Sequence, residues 1–307
     1  MSSDVAIPPV FQRNVVGNWG ADGQRWLTEL PSVIDAVSRD WDLELGAPYA
    51  LSFNWVAPVR RADGSAAVLK LGVPESGHLA DEAAALESYA GHGAVRLLAR
   101  DDDRGALLLE QSAPGTPAST LVPDHDEQAT AAFVEVARRL HQAPSSGCPL
   151  PELATRGEAF SAHLRAHPDD RLLPRLLVER AARLFDELCA TATDRVVLHG
   201  DLHHDNILRA EREPWLAIDP HGVIGDPGAE VGPLLYNPDP SRRDDNLLAL
   251  VPARLEQVAD GLRLPPERVV AWGFALCMLS EVWDVEGGGT SAGRALDVAL
   301  TLLPHLP

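Results

Sequence analysis

Apolar positions along the chain follow two periods. From His78 to Tyr89, Leu79, Ala83, Leu86 and Ala90 recur at helical spacing. The same period predicts amphipathic helices over Glu127–His141, carried by Phe133, Val136, Ala137 and Leu140, and over Glu158–Ala166 and Leu172–Ala190. Further helices are expected near Asp245–Gly261, Pro266–Trp283 and Ser291–Leu303. Short apolar runs predict strands at Ala67–Leu71, Val196–Leu198 and Trp215–Ile218, with a hairpin through Tyr49–Val56. Gly105–Glu110 is apolar without interruption, as a strand covered on both faces would be. The Pro-, Ser- and Gly-rich stretch from Ala143 to Pro151 reads as a surface loop, and no internal repeat is evident.

One polar segment interrupts this pattern with a chemistry of its own. His199-Gly200-Asp201-Leu202-His203-His204-Asp205-Asn206-Ile207-Leu208 sets an aspartate and an asparagine five positions apart, as in the phosphoryl-transfer pattern H-x-D-x-x-x-x-N. In that pattern Asp201 orients a hydroxyl and accepts its proton, and Asn206 helps hold magnesium. The competing reading is a polar turn or a zinc site. Zinc would want cysteine ligands or a helical H-x-x-x-H pair, and neither is read here, Cys148, Cys189 and Cys277 being scattered. The strand that follows, Trp215 to Ile218, ends in Asp219, where a metal-binding acid is expected. Asp226 is a candidate for tying down the loop backbone, or else an exposed turn residue.

Lys70 is the single lysine among 26 cationic side chains. A lysine kept where every other cation is arginine suggests a task for a compact point charge, such as holding phosphate oxygens. Its strand resembles V-A-I-K. Glu82 lies three residues after Leu79 and four before Leu86, on the inward face of its helix, and is the expected partner of Lys70, with Asp81 and Glu87 competing. The buried strand runs into Gln111-Ser112-Ala113, where backbone groups from Gln111 to Ala113 would read an adenine. No G-x-G-x-x-G precedes Lys70, so phosphate contacts there would come from Ser52, Asn54 or backbone amides.

The formal net charge of −19 argues against nucleic acid and anionic membrane surfaces as partners and fits a cationic small molecule. Met1–Phe11 lacks the basic start and apolar run of a leader. The longest apolar stretch, Val269 to Leu279, is too short to span a membrane, which needs about 20 residues. Few, unpaired cysteines suit a reducing compartment, and the cytoplasm is the expected location. Glu281, Trp283, Asp284 and Glu286 form an acidic cluster beside an indole, suited to guanidinium or ammonium groups, and Glu281, Trp283 and Asp284 are the expected acceptor-binding residues.

Taken together, H-G-D-L-H-x-x-N-I-L and I-D-P-x-G-x-x-G-D-P resemble the aminoglycoside phosphotransferase family. Gly23–Pro31, Trp41 with Leu43, and Arg61–Gly64 are similar to its streptomycin 6-kinase and hydroxyurea kinase branch. The resemblance implies an α+β, two-lobed protein-kinase-like fold, with a small antiparallel-sheet lobe over residues 1–112 and a larger, mainly helical lobe over 113–307. It also implies Asp201 as catalytic aspartate, Asn206 and Asp219 as Mg2+ ligands, Lys70 as phosphate-binding lysine, and ATP as donor. Glu230 stands where the family often has aspartate. Streptomycin or a close relative is the leading acceptor. Hydroxyurea or a metabolic sugar or amino alcohol is the alternative, and a non-catalytic nucleotide-binding module is a remote third.

Overall fold

The computed structural model describes residues 7–168 and 172–306. The first six residues of the leader expectation therefore lie outside the described residues. The chain opens with a helix, α1 (Pro9–Asp40), that the periodicity did not predict. Gly17, Gly20, Gly23 and Pro31 all fall inside it and read locally as breakers. At Gly20 the backbone leaves the helical region (φ 54°, ψ −124°), and the chain folds back so closely that a side chain at Gly23 would meet the Val15 carbonyl.

Strands β1 (Leu43–Leu45), β2 (Trp55–Arg61), β3 (Ala66–Leu71), β4 (Leu97–Asp101) and β5 (Ala106–Glu110) form one antiparallel sheet in the order β1-β2-β3-β5-β4. Alternation along β3 and β5 sends side chains to two different cores. Ala67, Leu69, Leu71, Ala106 and Leu108 pack against Phe11, Trp26, Leu30 and Ile34 of α1. Leu107 and Leu109 instead join the larger core, which contains Leu79, Leu86 and Tyr89 of α2 (His78–Tyr89). The uninterrupted apolar run of β5 follows from this two-sided burial.

Beyond Glu110 the chain is mainly helical. It contains β6 (Pro114–Pro117), α3 (Asp126–Leu140), α4 (Glu158–Ala166) and α5 (Arg175–Ala190). Then come the short strands β7 (Val196–Leu198), β8 (Ile207–Ala210), β9 (Trp215–Ala217) and β10 (Val223–Gly225). The chain ends with α6 (Val231–Tyr236), α7 (Asp245–Leu248), α8 (Val251–Leu262), α9 (Pro266–Glu286) and α10 (Arg294–Leu302).

Helix boundaries shift from expectation where proline intervenes. Pro174 precedes α5, and Pro252 starts a new helix where one from Asp245 to Gly261 was expected. Helix α9, apolar on all sides from Val269 to Leu279, is the central helix of the larger core, packed against α5, α6 and α10. No helix among the described residues is long and apolar enough to cross a membrane.

Candidate active site

The 199–208 loop leaves β7, which pairs antiparallel with β10, and returns through β8, which pairs with β9. Two buried groups hold it. Glu230 accepts the backbone N–H groups of His199 and Gly200, both at 2.9 Å. The His199 ring accepts the Asp201 N–H at Nδ1 (3.3 Å) and donates from Nε2 to the Ile218 carbonyl (2.9 Å), so one imidazole spans both strands of the site. Burial keeps His199 below its ordinary pKa, which suits the neutral tautomer these bonds require. The backbone tie considered for Asp226 thus belongs to Glu230. Asp226 accepts from Gly228 N–H and pairs with Arg268 instead.

Asp201 projects from this anchored loop. Burial works to raise its pKa, but the neighbouring His203, at 3.7 Å, and His221, at 3.9 Å, hold it below the ordinary value. Its carboxylate is therefore ionised at neutral pH. The Asn206 amide N–H donates to the Asp201 carbonyl at 3.0 Å, which turns the amide oxygen away from that bond. Ile218 N–H in turn donates to the Asn206 carbonyl, placing the residue before Asp219 beside Asn206.

Lys70, on β3, lies 2.5 Å from Glu82 on α2 and 2.5 Å from Asp219. Glu82 makes this contact, and its competitors Asp81 and Glu87 do not. Burial opposes the charge on Lys70, yet its two carboxylate neighbours raise its pKa above the usual lysine value. Burial pushes Glu82 up to about 7. Asp219 is also penalised by burial, but Lys70 brings it down to about 2. Asp219 takes a left-handed backbone (φ 60°), uncommon for a residue with a side chain and typical of functional turns.

Lys70, Glu82 and Asp219 line a cleft of about 470 Å³, which the 199–208 loop reaches through Asp205 and Leu208 rather than through Asp201 or Asn206. Its apolar walls include Val56, Val68, Leu109, Leu208 and Ile218, a surface suited to a flat aromatic base. Gln111 and Ser112 line its edge; Ala113 lies between lining residues and is not itself on the wall. The Gln111 side chain donates to the Tyr49 hydroxyl at 3.0 Å. Ser52 and Asn54 stand at the other end, near Lys70 and Asp219. An ionised Asp219 on the cleft wall and the amide oxygen of Asn206 on the adjoining loop are hard oxygen donors of the kind magnesium takes, so the residue types present would fit both nucleotide and ion.

A second cavity, of about 220 Å³, shares Ser52, Asn54, Glu82 and Asp219 with the first. Its far wall is Asn18 and Trp19 of α1, which sequence reasoning missed along with the helix. Trp19 meets the rings of Phe53 and His78 edge-on at 6.2 Å, and His78 faces His221 at 6.3 Å.

The expected acceptor cluster separates into two parts. Glu281 is 1 % exposed, and its carboxylate accepts the backbone N–H groups of Gly293 and Leu296. It caps the start of α10, a favourable place for a carboxylate at a helix N-terminus, and is therefore not available to an acceptor. Trp283 and Asp284 are exposed in the last turns of α9. Trp283 is tied to the 199–208 loop by Arg156, whose guanidinium lies 5.8 Å from the indole centre and donates to the Gly200 carbonyl at 2.9 Å. Nothing in the sequence pattern marks Arg156.

The family described as aminoglycoside/hydroxyurea antibiotic resistance kinase matches residues 46–288. A streptomycin 6-kinase of Streptomyces glaucescens is 34 % identical over 97 % of this chain and 96 % of its own length. A hydroxyurea phosphotransferase of Kitasatospora aureofaciens is 37 % identical over 92 % of this chain and 82 % of its own. The solved aminoglycoside phosphotransferase of Streptomyces rimosus, in complex with ADP and streptomycin, covers 83 % of this chain and 98 % of its own. It superposes with a TM-score of 0.55 at 23 % identity, a likeness of fold. With its five-stranded antiparallel sheet and its mainly helical remainder, the chain has the α+β protein-kinase-like fold and belongs to the aminoglycoside/hydroxyurea antibiotic resistance kinase family, enzymes that transfer phosphate to hydroxyl groups.

Proposed function

We propose that this kinase is ATP- and Mg2+-dependent and phosphorylates a hydroxyl of a streptomycin-type aminoglycoside, in the cytoplasm. The observation that carries this reading is the meeting of three segments at one cleft: Lys70 of β3 and Asp219 lie 2.5 Å apart on its wall, and the loop that carries Asp201 and Asn206 reaches it through Asp205 and Leu208. Residues 1–112 would form the nucleotide-binding lobe and 113–307 the lobe that holds the acceptor. Lys70, fixed by Glu82, would hold phosphate oxygens, and Gln111 and Ser112 would border the base. Asn206 and Asp219 would hold magnesium, which when bound supplies neutralising charge at the phosphates.

Asp201, kept ionised, would orient the acceptor hydroxyl and take its proton as the new oxygen–phosphorus bond forms. Most of the acceleration would come from positioning and charge rather than covalent work. Trp283 and Asp284 remain the candidate acceptor contacts, and the net charge of −19 favours a cationic acceptor.

The test is acceptor-dependent ADP release with Mg-ATP across streptomycin, other aminoglycosides, hydroxyurea and simple amino sugars, with Asp201→Asn as blank. Streptomycin turnover that disappears in the variant is the expected result. Turnover of hydroxyurea alone would move the assignment to the other substrate named by the family. Near-normal rates in Asp201→Asn would overturn the role given to the loop.

A further inference from the structure

His163 and His167 stand four residues apart at the end of α4 and form the helical H-x-x-x-H pair that the sequence reading did not find. They share one face of that helix, with ring centres 4.7 Å apart. Glu286, the last residue of α9, reaches both: its Oε1 lies 3.0 Å from His163 Nδ1 and 3.2 Å from His167 Nε2. One atom from each of the three side chains falls within 4.8 Å of the others. His163 is 3 % exposed, whereas His167 and Glu286 open to solvent on the other side.

We propose that His163, His167 and Glu286 form a binding site for a divalent transition metal, with zinc the best fit, that clamps the ends of α4 and α9 together. Two imidazoles and a carboxylate are a ligand set that zinc accepts, leaving a fourth position to solvent. Tetrahedral zinc with bonds of about 2.1 Å keeps its ligand atoms roughly 3.4 Å apart, close to the spacing of the glutamate oxygen to both rings. Magnesium and calcium prefer oxygen ligands, so the imidazoles select against the ion expected in the nucleotide cleft. The site is also separate from that cleft, since none of its three residues lines it. A plain histidine–carboxylate cluster would hold the same residues together without any ion, and metal titration separates the two.

The clamp bears on the acceptor side of the molecule. Glu286 is three residues beyond Trp283, and Arg156, which reaches both Trp283 and Gly200, lies just ahead of α4. Fixing the end of α9 to the end of α4 would therefore steady the Trp283–Arg156 contact. Nothing in the metal proposal depends on the identity of the acceptor.

The experiment uses the full chain, stripped with chelator and dialysed, with excess Mg2+ present throughout. A Cys148→Ser/Cys189→Ser background removes the two partly exposed thiols as competing ligands. ZnCl2 is titrated by calorimetry, and CoCl2 is followed by its visible absorption. Expected are one equivalent of zinc per chain, a rise in Tm on binding, and a cobalt spectrum of nitrogen and oxygen ligation without a thiolate band. His167→Ala and Glu286→Gln, at exposed positions that the fold tolerates, should each weaken binding at least 100-fold and abolish the Tm rise. Failure to bind zinc stoichiometrically, or binding unchanged in both variants, would overturn the proposal.

Discussion

Glu230 holds Gly200 from below, with one carboxylate oxygen 2.9 Å from the Gly200 backbone nitrogen, while the second accepts from His199. The two N–H groups that open the loop carrying Asp201 thereby share a single buried acceptor. A Glu230→Ala variant leaves two loop N–H groups without their acceptor, at about 1–3 kcal/mol each. Urea unfolding should show a loss of roughly 2–5 kcal/mol. Turnover should fall more than acceptor KM rises if the displaced group is the one that meets the reacting hydroxyl, as proposed for Asp201. An unchanged urea midpoint would contradict this anchoring role.

The same carboxylate sets a dependence on pH. Burial pushes Glu230 up, but His141 and the loop N–H groups outweigh burial and hold it below its ordinary value of 4.5. On acidification the unfolded chain takes up this proton before the folded one does. The stabilisation is thus complete above about 4.5 and is lost as pH falls from there through the lower folded value. Urea midpoints measured from pH 6 to pH 3 should fall more steeply for the native chain than for Glu230→Gln. Parallel slopes would assign the acid sensitivity elsewhere.

Lys70 lies between the buried Glu82 and the more open Asp219, so removing the lysine strands Glu82 in the interior. Lys70→Met should cost about 3–5 kcal/mol of stability, whereas Lys70→Met/Glu82→Leu, which removes both charges, should recover most of it. Activity should behave differently. Both variants should lose at least about 10²-fold in kcat/KM for the nucleotide, because the charge proposed to hold the phosphates is gone in each. Recovery of activity along with stability would reduce Lys70 to a structural role.

Gly200 takes a left-handed backbone (φ 78°), and a side chain there would sit 2.8 Å from an Arg156 nitrogen. Gly200→Ala should therefore disturb Arg156 as well as the loop, and Arg156→Ala should release both the Gly200 carbonyl and Trp283. A hydrogen bond to a charged group is worth about 1.5–3 kcal/mol, so kcat/KM for the acceptor should fall roughly 10- to 100-fold in Arg156→Ala. Trp283→Ala should raise acceptor KM while leaving nucleotide binding in place. Equal effects on both substrates would remove Trp283 from the acceptor side.

Much of the site was readable in one dimension because its residues must keep register along short segments. Asp201 and Asn206 share one loop, Asp219 closes the next strand, and Glu82 is singled out from Asp81 and Glu87 by the inward face of its helix. What was missed depends on contacts between distant segments. Glu230 and Asp226 are both acids in one turn, and only the fold of residues 227–230 decides which reaches the loop. Glu281 looks like a surface acid in sequence, but α10 arrives to be capped by it. His163 and His167 are regularly spaced, yet their third partner is more than a hundred residues away. The first helix escaped because its glycines and Pro31 are local signals for a break; Gly20 does interrupt it, and packing against the sheet holds the helical stretches on either side.

That first helix bears on what counts as the smallest folding unit of this enzyme. The family match begins at residue 46 and contains every residue assigned here to phosphoryl transfer. It leaves out Phe11, Val15, Trp26, Leu27, Leu30, Ile34 and Val37, which cover one whole face of the sheet that carries Lys70. A protein trimmed to the matched segment would keep its chemistry on paper and present to water an apolar sheet built to be inside. Such a face favours association with other copies over the folded monomer, so the trimmed protein should aggregate before its kinetics could be measured.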